Sequence, residues 1–186
     1  MDTRIEKTCS ELAAVAKDTA EAFGDLSAEQ LNWKPSEKQW SVAQCFDHLI
    51  TTHSLYFKDL DRLASGDTKM SFWERYSPLS GFFGRFLIKG LDPKNTKKMK
   101  TTAKASPAKS EIGGDIIEKF STHQSELADR IRRASEKVDP DKQIVTSPLL
   151  GIVTYSLADA VKFIPMHCER HFDQAKRVLV SEGFPR

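Results

Sequence analysis

The 186-residue chain contains five histidines: His48, His53, His123, His167 and His171. His167 and His171 are four positions apart, so on a helix their rings lie one above the other on the same face. Ile164, Cys168 and Ala175 flank them in an apolar stripe, which turns that face towards a core. Imidazoles turned inward must find partners, and a shared divalent ion satisfies both at once. The spacing is not the H-E-x-x-H of the zincins, because Cys168, Glu169 and Arg170 stand between the two rings. The competing reading is a pair of core histidines bonded to neighbouring carbonyls or hydroxyls. A third ligand must come from another helix. Periodicity puts His53 and His123 near the middle of their stripes and His48 on a shoulder, so the helical wheel alone favours His53 or His123.

Four segments carry the helical period that would position these rings. The first runs from Thr3 to Phe23, with Ile5, Leu12, Val15, Ala16, Thr19 and Phe23 on one side and Gly24 as a stop. Ser27 with Gln30 makes a capping box for a short turn that ends before Pro35. Ser41 with Gln44 makes another, opening a stripe of Val42, Cys45, Phe46, Leu49, His53, Tyr56, Leu60 and Leu63 that fades at Ser65-Gly66. The third segment spans Ile112 to Lys137 and closes at Asp139-Pro140. The fourth runs from Leu157 to Ser181 behind a Ser156-Asp159 cap pattern. Pro165 within it predicts a kink, since it removes one backbone bond and crowds the carbonyl four residues back. With almost no strand signal, the expectation is an all-α four-helix bundle formed by residues 1–186 as a single domain. Residues 67–110 are too long for a plain bundle connection. They include Phe72, Trp73, Tyr76 and the apolar run from Phe82 to Ile88, so they predict an ordered cap buried against one end of the bundle.

Composition narrows the class. The chain is 39% hydrophobic and 29% charged, as globular proteins are, and 28 basic against 26 acidic residues give a net charge of +2. That balance offers no polyanion-binding signature, so nucleic acid is not an expected partner. No run approaches the roughly 18 apolar residues that span a bilayer, so no membrane partner is expected either. The first 25 residues lack a signal-type apolar stretch. Cys9, Cys45 and Cys168 are odd in number and form no C-x-x-C pair, which argues against a disulfide framework or a zinc knuckle. A cytoplasmic location follows as the expectation. Between Ile88 and Lys109, Lys89, Lys94, Lys97, Lys98, Lys100, Lys104 and Lys109 face the single acid Asp92. A solvated loop is the simpler reading of that run, and attraction of an anionic ligand the alternative.

Two stretches carry a family resemblance. Leu31-Asn32-Trp33-Lys34-Pro35, followed by Gln39-Trp40-Ser41-Val42-Ala43-Gln44-Cys45-Phe46-Asp47-His48-Leu49, resembles the first signature of the DinB-like (YfiT-like) superfamily. That signature is a proline-containing loop, then Trp-Ser, then a helix whose first turns end in His-Leu. Pro165-Met166-His167-Cys168-Glu169-Arg170-His171-Phe172-Asp173-Gln174 resembles its second, a helix with two histidines four apart followed by Gln. The resemblance implies an up-down-down-up four-helix bundle, to which the reading of residues 67–110 adds a long ordered connection between helices 2 and 3. It implies a metal ion, zinc or nickel most naturally, on His48, His167 and His171. It also implies a metal-dependent hydrolase or thiol-dependent transferase acting on a small molecule, in some members a low-molecular-weight thiol, and a homodimer. A non-catalytic metal-binding module and a purely structural dimeric bundle are the alternatives. No general base is identifiable, and the 67–110 connection sets this chain apart from the simple pattern.

Overall fold

The computed structural model of the protein describes residues 2–95, 101–108 and 111–186. The chain is mostly helical. Helix α1 (Thr3–Phe23) begins at Asp2, whose side chain accepts the Arg4 N–H, and buries Ile5, Leu12, Val15 and Phe23. Both capping boxes expected from sequence form: Ser27 and Gln30 open α2 (Ala28–Asn32), and Ser41 and Gln44 open α3 (Val42–Ser54). The expected long second helix is broken. A tightened turn, with the Tyr56 N–H bonded to the His53 carbonyl at 3.0 Å, separates α3 from α4 (Phe57–Ala64).

The connection is ordered where it is described, but it is not a cap with its aromatic run buried. It forms α5 (Phe72–Tyr76) and α6 (Ser80–Leu91), and α6 lies along the last helix. Phe83, Leu87 and Ile88 pack on the core, whereas Phe82 and Phe86 are 56% and 58% exposed. A helix presents only one side to its neighbour, so a continuous apolar run cannot bury all its members. Gly84 is a point of close approach: a Cβ there would sit 2.0 Å from Asp159 Oδ2, so any larger residue requires the Asp159 side chain to move. A 3-10 turn at Ala103–Ala105 follows, while Lys97, Lys98, Lys100 and Lys109 of the lysine run lie outside the described residues.

Helix α7 (Ile116–Ser135) starts four residues later than the period suggests. The backbone of Ile112 is instead tied to the Asn32 amide through two 2.9 Å bonds, and Gly113-Gly114 then delays the helix. Between α7 and α8 the sequence reading missed a ribbon. Strands β1 (Ile144–Thr146) and β2 (Thr154–Ser156) pair antiparallel with Val145 opposite Tyr155. The clustered Val, Thr, Tyr and Ile around a Pro148–Gly151 loop were the available signal. Helix α8 (Leu157–Leu179) runs through Pro165. Pro165 has no N–H to give the Val161 carbonyl, and the Thr8 hydroxyl of α1 donates to it at 3.2 Å.

Helices α1, α3–α4, α7 and α8 surround one core. Phe46 lies 5.3 Å from Phe23 and 4.9 Å from Phe120, ring centre to ring centre, so aromatic edges knit α1, α3 and α7 together. The histidines of α3 and α8 face each other beside this cluster. Among the described residues no helix is long and apolar enough to cross a membrane.

Candidate metal centre

His48 sits on the second turn of α3, and His167 and His171 follow Pro165 on α8. Their ring centres are 5.1 Å (His48 to His167), 4.6 Å (His48 to His171) and 4.8 Å (His167 to His171) apart. One nitrogen from each lies within 4.8 Å of the others, and this is a group that could hold a metal ion. All three are buried, at 5%, 8% and 8% exposure.

Hydrogen bonding decides which atoms face inward. His48 Nδ1 is 2.5 Å from the Ala105 carbonyl, which can only accept, so Nδ1 carries the proton. In the neutral ring Nε2 is then a bare lone pair, aimed at Nε2 of His167 across 3.2 Å. Either a proton or a cation must lie between two such nitrogens. The separation is close to the roughly 3.3 Å between nitrogens that share a four-coordinate ion at about 2.0 Å each. Nδ1 of His171 is buried and takes part in no hydrogen bond among the described residues, which is costly unless a cation or water satisfies it. Three neutral donors with an orphaned nitrogen fit a divalent metal ion.

Electrostatics agree with the donor geometry. Burial, the largest cause in each case, holds His48 below the ordinary histidine range and His167 well below it; it holds His171 down to about 3. Mutual repulsion among the charged rings adds to this at His167 and His171. The rings are therefore neutral at neutral pH and present lone pairs without first losing protons.

Supporting groups come from two sequence neighbours of His48 and from a segment about 60 residues further along the chain. Gln44 donates to the Ala108 carbonyl and Asp47 accepts the Ala108 N–H, both at 2.8 Å, pinning residues 105–108 over α3. That cover buries His48, although its helix stripe alone left it on a shoulder. His53, the ring favoured by the wheel, lies one hydrogen bond outside the cluster, its Nε2 3.1 Å from His167 Nδ1. His123 is farther away, its ring 6.4 Å from that of His53, and its Nε2 meets Ser54 Oγ at 3.1 Å. Cys168 points away from the cluster, with Sγ 3.6 Å from the Gln124 side-chain oxygen, and burial raises its thiol. Trp40 walls the site, tilted over His48 and stacked on His171 at 5.5 Å, whereas Trp33 packs on Phe184 elsewhere. Glu169 is exposed, and Arg170 donates to the Asp92 and Asn95 carbonyls while its charge adds to holding His167 and His171 neutral.

The cluster occurs in a recognisable sequence context. Among curated proteins and among solved structures nothing matches the chain. A family match nevertheless covers residues 11–175, which takes in all three histidines and most of the long helices around them, and on that match the chain belongs to the DinB superfamily.

Proposed function

We propose that the protein is a metal-dependent enzyme, a hydrolase or a thiol-dependent transferase, whose divalent ion is held by His48, His167 and His171. The observation that carries this reading is the pair of Nε2 atoms facing each other at 3.2 Å, with the His48 tautomer set by the Ala105 carbonyl. Three neutral ligands leave an ion its full charge and an open coordination position, the pattern of catalytic rather than structural sites. When bound, such an ion supplies Lewis acidity, which serves hydrolysis and thiol transfer alike. The chain's own residues orient the donors: Ala105 fixes His48, His53 meets the far side of His167, and Trp40 shields the rings from water. Zinc and nickel both suit imidazole. The substrate is a small molecule, a low-molecular-weight thiol being the first to try. The four helical rods would follow the up-down-down-up order of the superfamily bundle.

Metal analysis of untagged protein tests the centre. The expected result is close to one ion per chain, lost in His167→Ala. Far less metal, unaltered in that variant, would overturn it. Turnover screens with zinc-, nickel- and manganese-loaded protein then test the enzyme: one ion bound without any thiol-transfer or hydrolytic activity would leave a binding module instead.

A further inference from the structure

Large apolar side chains left in water are unevenly placed. Among the described residues they number nine, and all but Val180 come from α5, α6, the Leu79 link and the β1–β2 loop. Phe72 and Tyr76 of α5 are 79% and 63% exposed with their rings 4.9 Å apart. Trp73 ties this helix to the loop, its indole N–H donating to the Ile152 carbonyl at 3.0 Å. Ser77 and Ser80, flanking the link, both bond the Thr154 hydroxyl, at 2.9 and 2.8 Å, so α5 and α6 are seated on the same ribbon. The solvent side of α6 reads Phe82, Arg85, Phe86, Lys89, all exposed, with the two aromatic rings stacked at 6.4 Å. An apolar patch of this kind on a folded protein marks a contact surface.

Charge selects the occupant. From Lys69 to Asn95, the described stretch that carries α5 and α6, the sequence holds five basic and two acidic residues, whereas the whole chain holds 28 and 26, so the remainder has no net positive charge. A second copy docking symmetrically would set this positive stretch against itself. A nucleic acid would match the charge but not Leu79 and Ile152. An anionic bilayer matches both: the aromatic rings enter the boundary between headgroups and acyl chains while Arg85 and Lys89 reach lipid phosphates. We propose that the α5–α6 face docks the protein on the surface of an anionic lipid bilayer. The contact is peripheral and independent of the histidine centre.

Co-sedimentation of the full chain with vesicles tests this. Vesicles of phosphatidylcholine containing about one third phosphatidylglycerol should pellet the protein, and phosphatidylcholine alone should not. Phe82→Ser with Phe86→Ser should weaken binding at least about tenfold, and Arg85→Gln with Lys89→Gln about thirtyfold. These side chains point outward, so circular dichroism and Tm should match the parent, and His167→Ala should bind vesicles unchanged. Three results would each overturn the proposal: no anionic-vesicle binding, equal binding by the double-serine variant, or a dimer in ultracentrifugation that this variant dissociates while vesicles stay unbound.

Discussion

At the scale of single residues, the arrangement around His167 turns on a tautomer. For Nε2 of this ring to meet an ion, Nδ1 must carry the proton and donate it to Nε2 of His53, 3.1 Å away. His53 then carries its own proton on Nδ1, 4.0 Å from Cys168 Sγ. Groups one bond behind a ligand typically govern metal affinity by about 10–100-fold. His53→Leu should therefore weaken zinc binding by about that factor, while His53→Gln, whose amide oxygen still accepts, should hold most of it. A competition titration against a chromophoric chelator reads both; equal affinity in His53→Leu and the parent would remove His53 from the site. His123, farther out, makes a separate prediction. Burial lowers its pKa to about 4, against 6.5 for an ordinary histidine. Between those values the unfolded chain binds a proton that the folded ring refuses. Its contribution is thus complete above about pH 6.5 and is lost as pH falls towards 4. Urea midpoints should drop from pH 7 to pH 5, and by less in His123→Gln; an identical drop in both would place the acid sensitivity elsewhere.

Among the elements, α8 makes the site by continuing through a proline. The freed Val161 carbonyl is buried under α1 and takes its hydrogen bond from Thr8. Thr8→Val should cost about 1–2 kcal/mol, because a buried carbonyl then goes unpaired. In a Pro165→Ala background the backbone N–H returns to that carbonyl, and the same change should cost under about 0.5 kcal/mol. Equal costs in the two backgrounds, measured by urea unfolding, would show the hydroxyl matters for some other reason. Helix α6 depends similarly on one position: Gly84→Ala would put a methyl into Asp159 and should lower Tm by several degrees. The four long helical stretches and the caps at Ser41 and Ser156 were legible because hydrophobic period and capping patterns are local properties. The break at Leu55-Tyr56 was not, since no glycine or proline marks it, and Tyr56 is held there by a 2.7 Å bond to Tyr155, 99 residues away. The exposure of Phe82 and Phe86 was marked only by Arg85, the one charged residue in a run that is otherwise apolar.

For the whole molecule, the centre joins parts of the chain that only folding brings together: α3 through His48, α8 through His167 and His171, and the connection through Ala105. The histidine pair on α8 was readable from its spacing, whereas His48 came from a resemblance because its burial depends on a carbonyl 57 positions later in sequence. An ion bound at this junction stabilises the folded state alone, since the unfolded chain cannot hold the three rings in place. With free ion at about 100 times Kd the gain is about 2.7 kcal/mol. For a chain of this length that corresponds to roughly 5–10 °C in Tm. Stripping the metal with a chelator should lower Tm by that amount and speed amide exchange in α3, around Ala105 and in α8, leaving the first turns of α1 unchanged. In His48→Ala the chelator should have almost no effect, because the variant has already lost the link between α3 and α8. If loaded and stripped protein melt together and exchange alike, the imidazoles hold no ion at that junction, and both the metal centre and the enzyme built on it fall with that result.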